Sequence, residues 1–118
     1  MNLLTVSQVP GRVPVTVFQI QGRVNLGNTA ELEQAASDAF VAGGRDMVID
    51  LSKAASLTSA GIRAILVIHK KLSIAGMDKA RHLKLVSPTP YVRDVLEVAG
   101  LLDTIEVFTS LEEALASF

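Results

Sequence analysis

Three hydroxyl side chains, Ser56, Thr58 and Ser59, stand immediately ahead of Ala60-Gly61-Ile62-Arg63. Apolar periodicity begins there and predicts a helix from about Ser59 to Ala75, stopping near Gly76. A helix start leaves backbone N–H groups unpaired and carries the positive end of the helix dipole, so a phosphate on Ser59 would be well held. The chemistry in view is acceptance of a phosphoryl group on a small signalling module, more readily than catalysis in a pocket. Thr58 is the second-choice acceptor and Ser56 a poorer third. A plainer role stands beside this one: Ser59 caps the helix, contributing about 1 kcal/mol, with Thr58 nearly as good a cap. The two roles can coexist.

Other chemistry is poorly supported. A nucleophile elbow needs Gly-x-Ser-x-Gly, whereas Leu57-Thr58-Ser59-Ala60-Gly61 keeps only the second glycine. No His–acid pair can be assigned, and neither phosphate-binding glycine pattern is present. His69 falls within the inferred inner helix face and reads as a core histidine. His82, in Lys79-Ala80-Arg81-His82, reads as solvated. Two histidines without cysteine or a suitably spaced carboxylate give no metal-site signal. We therefore expect no catalytic residues, no metal, no cofactor and no enzymatic activity.

The elements that must position Ser59 follow from the patterning. Leu3 to Val9 and Val13 to Gln21 alternate around Pro10-Gly11-Arg12 and predict an antiparallel hairpin, with Pro14 at an exposed or irregular start and Gly22 at the end. Asn25 to Asn28 form a loop. Asn28 or Thr29 can cap a helix whose apolar face is Ala30, Leu32, Ala35, Ala36, Ala39 and Phe40, ended by Gly43-Gly44. Met47 to Leu51 predicts a short, buried strand, followed by a polar loop in which Asp50 and Ser52 bind backbone groups. Leu83 to Val86 is another strand. Pro88 and Pro90 introduce a helix through Val92, Val95, Leu96 and Val98, ended by Gly100. Ile105 to Phe108 is the last strand, and Ser110 with Glu113 predicts a capping box for a final helix. Alternating helices and strands give a largely parallel sheet with right-handed crossovers and sequential neighbours. The whole is an α/β fold with an N-terminal antiparallel hairpin strand and about four helices, one domain spanning residues 1–118.

Composition narrows the partners. Hydrophobic residues make up 49% of 118 and charged residues 19%, which argues for a folded core. Eleven basic and twelve acidic residues give a net charge of −1, not the footprint of a nucleic-acid binder. There is no cysteine, hence no disulfide or thiolate chemistry. The first residues lack a basic n-region and a long apolar core, and no apolar run approaches a membrane span. A cytoplasmic protein without direct membrane insertion is expected.

Four stretches together resemble a STAS domain of the anti-sigma-factor-antagonist type. They are Gly22-Arg23-Val24-Asn25 with Thr29-Ala30-Glu31-Leu32, then Ile49-Asp50-Leu51-Ser52, then Leu57 to Leu66, and Val95-Leu96-Glu97-Val98-Ala99-Gly100-Leu101. The resemblance covers nearly the whole chain. It implies a partner switch that binds an anti-sigma factor with serine/threonine kinase activity and thereby frees a sigma factor. That kinase would inactivate the domain by phosphorylating Ser59, and a metal-dependent serine phosphatase would restore it. Other roles in the wider family are a constitutive docking subunit of a transporter or sensory complex and a small nucleotide-binding module. Thr58 and Asn25 stand where the family usually has aspartates. Their neutrality lessens repulsion of a phosphate but removes carboxylates that could orient the hydroxyl for a kinase.

The same helix supplies a contact surface. At about 100° per residue, Ile62, Ile65, Leu66, His69 and Leu72 should meet the sheet, with Arg63, Ala64, Val67, Lys71 and Ile74 opposite. Small apolar residues rimmed by Arg63, Lys70 and Lys71 suit a modest protein interface, unless a neighbouring element covers them. The expected partner contacts are Arg23, Asn25, Thr58, Ser59, Arg63 and Val67.

Overall fold

The computed structural model describes residues 4–11, 13–24, 29–76 and 82–118, with the side chains of residues 23, 24 and 73–76 outside that description. Strands β1 (Leu4–Pro10) and β2 (Pro14–Val24) form the antiparallel hairpin. Then follow α1 (Thr29–Val41), β3 (Met47–Leu57), α2 (Ser59–Gly76), β4 (Leu83–Val86), α3 (Pro90–Val98), a 3-10 turn (Leu101–Asp103), β5 (Glu106–Phe108) and α4 (Leu111–Ala116). The sheet runs β1-β2-β3-β4-β5, and every pairing after the first is parallel. Each parallel strand is therefore reached by one helical crossover, as the alternation predicts.

The two sheet faces are covered unequally. Phe18, Ile20, Met47, Ile49, Leu83 and Leu85 point into the main core against Leu32 and Ala36 of α1, Ala64, Ile65, Ile68 and Leu72 of α2, and Val92 and Leu96 of α3. The other face buries Val15, Val17, Val48 and Val86 under Ala114, Leu111, Leu115 and Phe118, from α4 and the residues after it. That helix starts at Ser110, whose hydroxyl oxygen accepts from Glu113 N–H at 3.2 Å, one half of the expected capping box. Glu113 bonds the Ser110 hydroxyl rather than returning to its backbone.

The structure corrects several expectations. β2 does not end at Gly22. That glycine takes φ +78°, a conformation open to residues without Cβ, and the strand shifts register there before continuing to Val24. β3 does not stop at Leu51 either. It runs six residues further, and the expected polar loop is strand. Among the described residues only Met47 to Asp50 pair on both sides; beyond them β3 pairs with β2 alone, through two register shifts. A strand bulged twice and paired on one side needs no continuous apolar run, which is why Ser52-Lys53-Ala54-Ala55-Ser56 reads as loop.

The inner face of α2 is turned by about 80° from the expected one, at about 100° per residue. Ala64 and Ile68 are inside with Ile65 and Leu72, while Leu66 is 38% exposed. α2 packs on β3 and β4 of the sheet and against α1. α1 flanks α2 on one side, where Lys71 donates to Ser37 Oγ at 3.4 Å. α3 lies on the other, beside Ile62. His82 is not solvated: its Nδ1 lies 2.9 Å from Asp46 Oδ1, and its carbonyl accepts from Met47 N–H. Ala30 is exposed, and Val98, expected on an apolar helix face, is 90% exposed.

Candidate functional site

The junction between β3 and α2 divides the labour between its two hydroxyls. Leu57, the last residue of β3, is buried in the main core and anchors the strand end. Thr58 follows as the cap of α2: its Oγ1 accepts from Gly61 N–H at 3.4 Å, and its carbonyl accepts from Ile62 N–H at 3.0 Å. Ser59 is thereby relieved of the capping role and becomes the first helical residue. Its side chain is exposed and makes no hydrogen bond with any described residue.

The surroundings of Ser59 favour an anion. No acidic residue lies in the first turn of α2, so no carboxylate of the helix itself already occupies the positive end of its dipole. Arg63 is four residues on and exposed, a spacing that puts it on the same helix edge. Lys70 extends the line, with Leu66 and the 46%-exposed Val67 beside it. Asp50 shapes the approach from inside the sheet. Its Oδ1 accepts from Ser52 N–H at 2.9 Å and its Oδ2 accepts from Gln19 Nε2 at 3.3 Å, holding one of the bulges of β3.

Of the expected contact residues, the structure gathers Thr58, Ser59, Arg63 and Val67 on one end and face of α2. Arg23 sits near the end of β2, its backbone opposite Ser56 of β3, the residue before Leu57; its side chain and all of Asn25 lie outside the described residues. Ala64 does not belong to the surface, being buried. Sequence reasoning overlooked α3. Tyr91, Asp94, Val95, Val98 and Ala99 line a groove of about 360 Å³ together with Ile62, one turn beyond Ser59. Tyr91 is 60% exposed. The signal was legible: Tyr91, Val95 and Val98 form a second apolar stripe at helical spacing, beside the buried pair Val92 and Leu96.

His69, at the edge of the buried face of α2, has its pKa lowered from 6.5 by burial, which disfavours the charged imidazolium. Among the described residues no group of three His, Asp or Glu side chains could hold a metal ion, and no helix is long and apolar enough to cross a membrane.

Residues 6–114 match the STAS domain family. The chain belongs to that family. The Bordetella bronchiseptica protein BtrV, provisionally named an anti-sigma factor antagonist, is 33% identical to this STAS domain over 116 residues, covering 98% of this chain and 93% of BtrV. An anti-sigma factor antagonist from Mycobacterium paratuberculosis, solved by crystallography, shares 26% identity and a TM-score of 0.80 over 95% of this chain and 89% of its own. The antagonist SpoIIAA in its unphosphorylated form has the same fold, with a TM-score of 0.77 at 20% identity over 94% of this chain and 91% of its own.

Proposed function

We propose that this STAS domain is an anti-sigma factor antagonist, a non-enzymatic switch that binds a kinase-type anti-sigma factor until Ser59 is phosphorylated. The observation that carries this reading is the exposed Ser59 hydroxyl at the first position of α2, bonded by none of the described residues and freed from capping by Thr58. The names of BtrV and of the mycobacterial structure support the antagonist role. The partner would rest on the Ser59 end of α2, touching Arg63 and Val67 and reaching Ile62 and Tyr91 across the groove. Arg23, near the end of β2, and Asn25, two residues later in the sequence, are the remaining proposed contacts.

Phosphorylation would add about −1.5 to −2 charges and three acceptor oxygens at a helix start that tolerates them. The fold would persist, and the phosphate would act on the partner, by repulsion and by occupying its space. A serine phosphatase would reset the switch. All of this chemistry would take place in the cytoplasm, with ATP carried by the partner.

The deciding experiment is peptide mass spectrometry on the protein from its own cells, prepared with phosphatase inhibitors during growth and stress. A phosphate on Ser59 whose occupancy follows the condition is the expected result. Its absence under every condition refutes the switch. The neutral Thr58, in place of the usual family aspartate, favours a second reading, a permanently docked subunit. Ser59→Asp separates the two: a switch loses partner binding at least tenfold, and a permanent dock keeps it.

A further inference from the structure

The two edges of the sheet are protected very differently. β5 is three residues long and carries Glu106, whose carboxylate is tied to Lys84 across the strands at 2.8 Å. Shortness and charge both discourage further pairing. β1 has neither protection. Its seven residues, Leu4-Thr5-Val6-Ser7-Gln8-Val9-Pro10, include no charge, and their register with β2 is regular throughout, without a bulge. Thr5 to Gln8 are exposed, with Val6 at 48%. Among the described residues β1 pairs with β2 alone, so its outer N–H and C=O groups face away from the sheet. Only Pro10, at the turn end, limits the edge.

We propose that β1 is the docking edge for a second copy of this chain, the two β1 strands pairing antiparallel across a two-fold axis at Val6. That register places Val6 opposite its own copy and Leu4 opposite Gln8 on the helix-covered side. On the other side it sets Thr5 opposite Ser7. The Val6 pair is apolar and the Thr5–Ser7 pairs join hydroxyls, both of the kind that stabilise antiparallel strands; Leu4 meets the uncharged Gln8, and no like charges meet. The self-complementarity argues for an identical partner. The poor β5 edge argues for a closed dimer: a head-to-tail assembly would have to add β1 of one copy to β5 of the next, and β5 offers only three residues. The joined sheets would have twice the five strands of one copy. A single strand pair buries less than a standard interface, so the dimer is expected to be weak and concentration-dependent.

Sedimentation equilibrium of the full chain, from micromolar to millimolar concentration, tests this. The expected mass rises from one chain to two and no further. Val6→Lys sets two ammonium groups against each other at the axis and should hold the protein monomeric, with an unchanged urea midpoint because the site is half exposed. Thr5→Lys, on the opposite side of the strand, is the second variant and should do the same should Val6→Lys perturb folding. A wild-type protein that stays monomeric at the highest concentration overturns the proposal, as does growth beyond the dimer. A dimer that both lysine variants leave intact, but that Val98→Asp dissociates, belongs to the α2–α3 groove and overturns it too. Neither result bears on whether Ser59 is phosphorylated.

Discussion

Replacing the two neighbouring hydroxyls by alanine, one at a time, should have unequal effects, because the structure gives the cap to Thr58 alone. Thr58 Oγ1 accepts the Gly61 N–H at 3.4 Å, a long bond, so its loss belongs in the lower half of the usual range for a cap. Thr58→Ala should therefore cost about 1 kcal/mol or somewhat less. Ser59 bonds to nothing described and occupies a helical position, where alanine is the better helix former by a few tenths of a kcal/mol. Ser59→Ala should thus be neutral or slightly stabilising. With a urea slope of about 2 kcal/mol/M, the first variant moves the midpoint down by roughly 0.5 M and the second scarcely moves it. In a thermal scan the same difference is about 3–5 °C. Thr58→Asp should restore the cap, since aspartate caps at least as well as threonine, while setting a negative charge beside any phosphate on Ser59. Equal losses from Thr58→Ala and Ser59→Ala, or a larger loss from the second, would refute the division of roles on which the proposed acceptor role of Ser59 rests.

Two further outcomes follow from ionisable groups, one buried and one partly buried. Lys84, its side chain 4% exposed, lies 2.8 Å from Glu106 and 4.7 Å from the Phe118 ring centre. Glu106→Gln leaves the ammonium without its charge partner and should cost about 1–3 kcal/mol, a figure reduced for the partial exposure of Glu106, whereas Lys84→Met should be close to neutral. Equal losses in chemical denaturation would contradict that account. His69 takes its proton less readily in the folded chain than in the unfolded one. The unfolded state then binds more protons below pH 6.5, so stability should fall as pH drops through that window. His69→Gln should flatten that part of the profile; an unaltered slope would exclude His69 as its source.

Local signals of helix and strand were legible where one principle dominated. α2 begins at the hydroxyl pair and ends at Gly76, and β4 spans Leu83–Val86, both as the patterning predicts. The place of Ser59 was legible for the same reason, since a hydroxyl at a helix start is a local feature. What tertiary contact decides was not. The roll of α2 depends on how it packs on the sheet and against α1, with Ala64 inside and Leu66 left outside. The extension of β3 depends on a long β2, which itself rests on Gly22 accepting a positive φ. Which of Thr58 and Ser59 caps is a matter of one residue of phase, and only the position of Gly61 N–H settles it. The α3 side of the groove went unread because Val98 looks like core, until the packing shows that Val92 and Leu96 already fill that role.

The order of the strands also governs how the chain can fold as it is synthesised. After the hairpin, each new strand adds beside the previous one, so the sheet grows at a single margin and no strand waits for a distant partner. The helix layer is laid down in step with it. The opposite face is different: Val15, Val17, Val48 and Val86 are made early and have no helix over them until α4 emerges. Until then a nascent chain carries an uncovered valine stripe. Synthesis of α4 is thus what covers this face, and chains stalled before Leu111 are the ones that should engage chaperones or aggregate.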